Sequence, residues 1–122
     1  MKEFTIDCKL WSRGTPEGGS LEKNYLRNGD GTMCCMGFWC NQVKRVSLAA
    51  MDGKATPSRI EIHELKKKTL PHDHSISIQT QLIGLNDSPF TMGCKTSAEQ
   101  RKRIADTFAL AGYKVNFINT ES

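Results

Sequence analysis

Residues 33–40 constrain the fold more than any other stretch of this chain. They read Met-Cys-Cys-Met-Gly-Phe-Trp-Cys, so three of the five cysteines and one of the two tryptophans lie within eight residues. A glycine-rich turn sequence, residues 28–31, comes directly before them. Such a segment is a reactive thiol centre, a metal site or a densely apolar piece of core. We interpret it as core, because free cysteine is among the residue types most often buried.

The length and composition are typical of one soluble globular domain spanning residues 1–122. A chain of 122 residues with 38% hydrophobic and 25% charged residues buries a core without disulfide bonds. We expect no membrane association, because no apolar run approaches the ~18 residues of a membrane span. The N-terminal residues lack the apolar stretch of a secretory signal, so we expect a cytoplasmic protein with reduced cysteines. Five cysteines, an odd number, also argue against a complete disulfide framework.

Alternating apolar and polar residues predict one strand near each end of the chain. Residues 4–10 place Phe, Ile, Cys and Leu on one side, and residues 113–118 alternate Tyr, Val and Phe with Lys and Asn. A helix over residues 97–111 is predicted just before the second strand. Its start carries two overlapping capping-box patterns, Thr96 with Glu99 and Ser97 with Gln100.

The cysteine-rich segment itself is predicted to be a helix over residues 33–42, with Thr32 as its N-terminal cap. A glycine inside a helix costs about 1 kcal/mol relative to alanine. Gly37 therefore indicates that another part of the backbone passes close to this helix. Phe38 and Trp39 are neighbours on the helix and point to different faces, so we expect one ring in the core and the other at its edge.

Two further elements are predicted between the cysteine-rich helix and the last helix. Ser47 caps a short helix over residues 47–51, which Gly53 ends. Residues 76–85 are predicted to be a strand that turns into a short helix. Together these elements predict a small α+β domain, in which the N- and C-terminal strands are neighbours in a short sheet and the two main helices pack on one face of it.

Several segments resemble a family of small uncharacterised phage and prophage proteins. Residues 34–40 resemble the family's Cys-Cys-Leu-Gly-x-x-Cys motif, with Met36 in place of leucine. Residues 56–58 are similar to its Thr-Pro-Ser loop. Residues 85–87 are similar to its Leu-Asn-Asp element, which an amphipathic helix follows.

This resemblance implies a phage-encoded accessory protein that acts inside a bacterial host cell. It transfers no catalytic residues, because the family has none assigned. We expect non-catalytic binding to a host protein, with inhibition of a defence or takeover target as its use, and we expect no cofactor.

A cysteine-dependent enzyme is an alternative. A cysteine at a helix N-terminus has its thiolate stabilised by backbone N–H groups and the helix dipole. The candidate nucleophiles are Cys34 and Cys35, and the candidate bases are His63, His72 and His74. No flanking motif of known cysteine hydrolases is present, so the inert core interpretation is favoured.

A metal site is not predicted, because the chain lacks two clear ligand pairs at zinc spacing. If a metal bound, the candidate ligands are His72 and His74 on an extended loop, together with Cys94. The ordinary interpretation of the two histidines is a solvated loop.

The net charge of +4 permits a nucleotide or another phosphate-bearing ligand without requiring one. A second alternative is therefore a nucleotide-signal binder that holds phosphates through two basic triplets, if these converge in space. The triplets are Lys66, Lys67 and Lys68, and Arg101, Lys102 and Arg103. Charge runs are usually solvated surface. An exposed Trp11, beside the loop of residues 12–20, would be an anchor for a protein partner.

Overall fold

Two parallel strands form the sheet of this computed structural model, which describes residues 2–18, 24–54 and 75–120. Strand β1 (Lys2–Asp7) pairs with strand β2 (Tyr113–Ile118), with Phe4 opposite Val115. The prediction that the terminal strands are neighbours is confirmed. Strand β1 is shorter than predicted, because the Leu10 N–H donates to the Asp7 carbonyl at 2.9 Å and closes a turn.

Both main helices pack on one face of this sheet, as predicted. Residues that are paired across a sheet share a face, so buried Phe4 lies on the same side as Tyr113 and Val115. Helix α1 (Cys35–Gln42) and the last helix, residues 97–110, contact β1 and β2 respectively. Edge-to-face ring contacts join the layers: Phe4 with Phe108 at 4.9 Å and Trp39 with Tyr113 at 5.9 Å between centroids.

Two more helices lie between these elements. Helix α2 (Leu48–Met51) begins as predicted, with the Ser47 hydroxyl accepting from the Ala50 N–H at 3.2 Å. Helix α3 (Ser75–Asp87) corrects the prediction of a strand that turns into a short helix over residues 76–85, because the whole stretch is helical. None of the helices in the described residues is long and apolar enough to cross a membrane.

Helix α3 forms because its buried residues follow helical spacing. Ile78, Leu82 and Leu85 are separated by four and then three residues and all lie in the core. The helix packs against the last helix and touches α1. The apolar positions of this segment therefore mark one helical face, and the strand prediction gave too little weight to that spacing.

The last helix, α4 (Ser97–Leu110), uses one of its two capping patterns. The Thr96 hydroxyl accepts from the Glu99 N–H at 3.1 Å, which makes Thr96 the N-terminal cap. Ser97 and Gln100 are not a second cap, because both side chains accept hydrogen bonds from Arg13. The helix ends at Leu110 with Ala111 as its C-terminal cap, and Gly112 follows with a φ of +91°, which suits the residue after the cap.

Helix α1 begins two residues later than predicted, and Thr32 does not cap it. The Thr32 hydroxyl instead donates to the Asp30 carboxylate at 2.6 Å, within the preceding turn. Cys34 is the cap residue and makes no side-chain capping bond. The Cys35 N–H donates to the side-chain carbonyl of Asn86 at 3.0 Å, 51 residues away. The cap of this helix is therefore a tertiary contact, which local sequence does not reveal.

Gly37 lies against the neighbouring backbone, as its place inside a helix predicts. A Cβ atom built on Gly37 would lie 2.0 Å from the Leu26 carbonyl oxygen and 3.0 Å from the Met33 Cβ. Phe38 and Trp39 are both buried, so the expectation that one ring lies at the edge is wrong. The indole N–H of Trp39 has no hydrogen-bond partner among the described residues.

We predict that Gly37→Ala destabilises the protein by about 3 kcal/mol or more, because a backbone carbonyl blocks the new methyl group. The Leu26 backbone cannot withdraw freely, since its N–H is bonded to the Lys54 carbonyl at 2.7 Å. Urea unfolding measures the change. Gly29→Ala is the matched control, because nothing lies within 4 Å of a Cβ there, and we expect a change within about 0.5 kcal/mol. Equal changes in the two variants would contradict the close approach.

Candidate functional site

The three cysteines of residues 33–40 are part of the core. Cys34 is 6% exposed, Cys35 1% and Cys40 0%, and all three are free thiols. They pack with Met36 and Phe38 in the same hydrophobic cluster. Cys34 and Cys35 do lie at the start of α1, where a reactive thiol benefits from the helix dipole. Neither side chain, however, is open to a substrate.

Burial also holds these thiols in the protonated form. Desolvation raises the pKa of Cys34 to about 12, and the nearby Asp87 carboxylate adds to that shift. Desolvation likewise raises the pKa of Cys35 and of Cys40, with the neighbouring Cys34 as a further cause in both. At neutral pH none of the three supplies a nucleophilic thiolate.

The amide of Asn86 occupies the position that a substrate would need at the α1 N-terminus. Its oxygen accepts from the Trp11 indole N–H at 2.7 Å as well as from the Cys35 N–H. Its nitrogen donates to the Ser12 carbonyl at 2.9 Å and to the Asp87 carboxylate at 2.8 Å. Trp11 is consequently 7% exposed, so the exposure on which its proposed anchor role depended is absent.

Gln100 extends this buried polar network to helix α4. Its side-chain nitrogen donates to the carbonyls of Gly14 at 3.0 Å and Leu85 at 2.9 Å. Its oxygen accepts from Arg13 Nη1 at 2.6 Å. Asn86 and Gln100 thus join the loop of residues 11–14 to three helices. The network satisfies buried polar groups and leaves none of these atoms directed at a ligand.

Several predicted site residues lie outside the described residues. These are His63, His72, His74, Lys66, Lys67 and Lys68. Cys94, the remaining predicted metal ligand, is buried, and its sulfur lies 3.7 Å from Arg103 Nη1. A guanidinium at that distance disfavours a metal cation on the same sulfur. Among the described residues, no three His, Cys, Asp or Glu side chains come together as a metal site.

The three basic side chains of residues 101–103, on α4, lie in separate environments. Lys102 forms an exposed ion pair with Asp106 at 2.8 Å, one helical turn onward. Arg103 donates to the Met92 carbonyl and approaches Cys94. Arg101 is half-buried and forms no ion pair with any described residue. The three residues therefore do not form one anion site, although Arg101 is available for one.

Arg13 is a half-buried charged residue that no sequence motif marks as functional. Its guanidinium lies 4.9 Å from the centre of the Trp11 ring, and Nη1 donates to Gln100 and to the Ser97 hydroxyl at 3.1 Å. Desolvation lowers the pKa of Arg13, and the positive charge of Arg101 adds to that shift. Its position in a glycine-rich loop gave no sign of this fixed geometry.

A surface cleft of about 330 Å³ lies between residues 25–29 and 52–53. Tyr25 and Asn28 line it, together with Arg27 and Asp52, whose side chains form an ion pair at 2.8 Å. Because these two charges neutralise each other, the cleft offers a ligand little electrostatic attraction. It holds none of the residues predicted as catalytic or binding.

The most exposed aromatic side chain among the described residues is Phe90, at 70%. It lies in the turn after α3, which the Cys94 N–H closes by donating to the Pro89 carbonyl at 2.9 Å. The Gly93 N–H donates to the Phe90 carbonyl at 3.0 Å, and the Thr91 hydroxyl to the Ser88 carbonyl at 2.8 Å. This turn holds an apolar ring in solvent. The Ser-Pro-Phe sequence of residues 88–90 is the signal in the sequence from which this turn could have been predicted.

No protein-family model, no curated protein and no solved structure matches this chain.

We predict that Cys8 is alkylated by iodoacetamide in the native protein well before Cys34, Cys35, Cys40 or Cys94. Cys8 is half-buried, whereas the other four are buried. Labelling followed by peptide mass spectrometry at pH 8 measures each rate, and denaturant should make all five equally reactive. Cys8→Ser is the control, since it should remove the early label. Rapid native labelling of Cys34 or Cys35 would contradict the inert core.

Proposed function

We propose that this protein works by non-catalytic binding of a host protein inside a bacterial cell, as a phage-encoded accessory protein that inhibits a defence or takeover target. The phage origin rests on the resemblance of residues 34–40 and 85–87 to phage and prophage proteins. The binding mode rests on one observation, the Phe90 ring held in solvent by a hydrogen-bonded turn.

Large aromatic side chains are the commonest anchors of protein interfaces, and they bind best from a rigid position. The turn that carries Phe90 is fixed at both ends. Helix α3 precedes it, and the Arg103 guanidinium of α4 bonds to the Met92 carbonyl within it. Little conformational entropy would therefore be lost when a partner covers the ring. An exposed apolar ring lowers the solubility of a protein, and a role in binding explains why this protein carries one.

The alternative of a cysteine-dependent enzyme receives no support from the described thiols. Cys34 and Cys35 are buried, and their raised pKa values keep them protonated at neutral pH. The histidines assigned to that alternative lie outside the described residues. Binding is therefore the function that the described geometry favours.

We predict that Phe90→Ala weakens binding of the host protein by about tenfold or more, which is the size of effect expected at an interface anchor. The tagged wild-type protein is expressed in bacterial cells, and the proteins captured with it are identified by mass spectrometry. The partner is then purified, and calorimetry measures its affinity for the wild type and for each variant. Thermal unfolding should be the same for wild type and Phe90→Ala, because the ring makes few contacts in the free protein.

Leu110→Ala is the matched control. Leu110 is as exposed as Phe90, at 70%, but it lies at the end of helix α4 rather than in the turn. We expect its affinity for the purified partner to stay within about twofold of wild type. A partner that binds Phe90→Ala as tightly as wild type, or no specific partner at all, would contradict the proposal.

A further inference from the structure

We propose that Arg13, Arg101 and the Ser97 hydroxyl form a binding site for a phosphoryl group. This site goes beyond the proposed function, because it requires neither a host protein nor Phe90. The ligand it fits is a phosphate-bearing small molecule, and the contacts that recognise the phosphoryl group do not depend on what that group is attached to.

The two arginines approach each other through helix α4. Arg13 Nη1 donates to the Ser97 hydroxyl at 3.1 Å and to Gln100 at 2.6 Å. Arg101 follows Ser97 by four residues in the same helix, so the two side chains lie on neighbouring turns of one face. The Arg13 guanidinium therefore lies beside the Ser97 hydroxyl, and Arg101 lies one turn further along the same helix, within electrostatic range of Arg13. Desolvation raises the pKa of the half-buried Cys8 thiol, and the positive charges of Arg101 and Arg13 oppose that shift, so both arginines lie within electrostatic range of this thiol.

No carboxylate neutralises this pair of charges among the described residues. Glu17 acts on Arg13 at longer range, and Asp7 acts on Cys8. The carboxylate of Glu99, in the first turn of α4, accepts from the Lys95 N–H. The Asp7 carboxylate is already bonded to the Lys9 N–H at 3.0 Å and to the Asn119 side chain at 2.8 Å. None of these three carboxylates forms an ion pair with Arg13 or Arg101 within 4 Å.

Arg13 is held ready for a ligand. The arginine head has five N–H donors, and only those on Nη1 have partners among the described residues. Stacking on Trp11 at 4.9 Å and the two hydrogen bonds hold the guanidinium plane in place. The planar head then presents its remaining donors without further loss of side-chain entropy.

A phosphoryl group matches this arrangement better than a single carboxylate does. Two adjacent cations attract a doubly charged anion, and its three terminal oxygens can accept from Arg13, Arg101 and the Ser97 hydroxyl together. Ser97 is also the first residue of a 14-residue helix, where backbone N–H groups and the helix dipole favour an anion.

The test uses pyrophosphate and inorganic phosphate as probes, titrated into the full chain at constant ionic strength set with KCl. We expect both to raise the thermal unfolding temperature of the wild type in a saturable way, and to slow native alkylation of Cys8. Arg101→Gln should weaken pyrophosphate binding by about tenfold or more, because one of two charged donors is lost.

Lys102→Gln is the matched control, since it removes the same charge from the next position of the same helix. We expect its pyrophosphate affinity to stay within about twofold of wild type. An equal loss in Arg101→Gln and Lys102→Gln would show general attraction to a basic surface and overturn the site. Absence of stabilisation beyond that of KCl would overturn it as well.

The phosphoryl site and the binding of a host protein are tested independently of each other. Phe90→Ala should bind pyrophosphate as the wild type does, because Phe90 is not part of the arginine site. A negative phosphate titration therefore leaves the host-protein experiment unaffected, and loss of the host partner leaves the arginine site unaffected.

Discussion

The described structure depends on the side-chain amide of Asn86. That amide is 1% exposed and makes all four hydrogen bonds of which a carboxamide is capable. It replaces a local cap for helix α1, satisfies the Trp11 indole and fixes the loop at Ser12. Each of these buried groups would cost about 1–3 kcal/mol if left unpaired. One residue at the end of α3 therefore positions the loop and the start of the cysteine-rich helix together.

Local sequence rules predicted the elements that local interactions determine. The strand alternation near both termini, the Thr96 cap and the Ser47 cap all depend on residues close in sequence, and the structure has them. Gly37 was also informative, because a glycine inside a helix has few explanations other than a close backbone neighbour.

The remaining features depend on contacts between residues far apart in the chain. The start of helix α1 was predicted too early because its cap comes from Asn86, 51 residues away. Trp11 was a candidate for an exposed anchor because nothing near it in sequence reveals its bond to the same amide, 75 residues away. The arginine pair was missed for a similar reason, since Arg13 and Ser97 are 84 residues apart. Helix α3 is the exception, because its helical spacing was present in the sequence.

The same network links the fold to both proposals. Gln100 ties helix α4 to the loop of residues 11–14, and so it holds Arg13 against the helix that carries Arg101. Helix α3 carries Asn86 at one end and leads directly into the turn that holds Phe90. The cysteines of helix α1 fill the core beneath these surfaces. Their burial is a structural requirement of the scaffold, and the binding groups lie on the loops and turns around it.

Hydrogen exchange at the Trp11 indole N–H and the Cys35 amide, followed by NMR, tests the central role of Asn86 most directly. We predict that both protons exchange only through global unfolding, with the same opening free energy as the amide of Ile104 in the centre of α4. Exchange of either proton many times faster than that of Ile104 would show that the Asn86 contacts open independently, and would contradict the account.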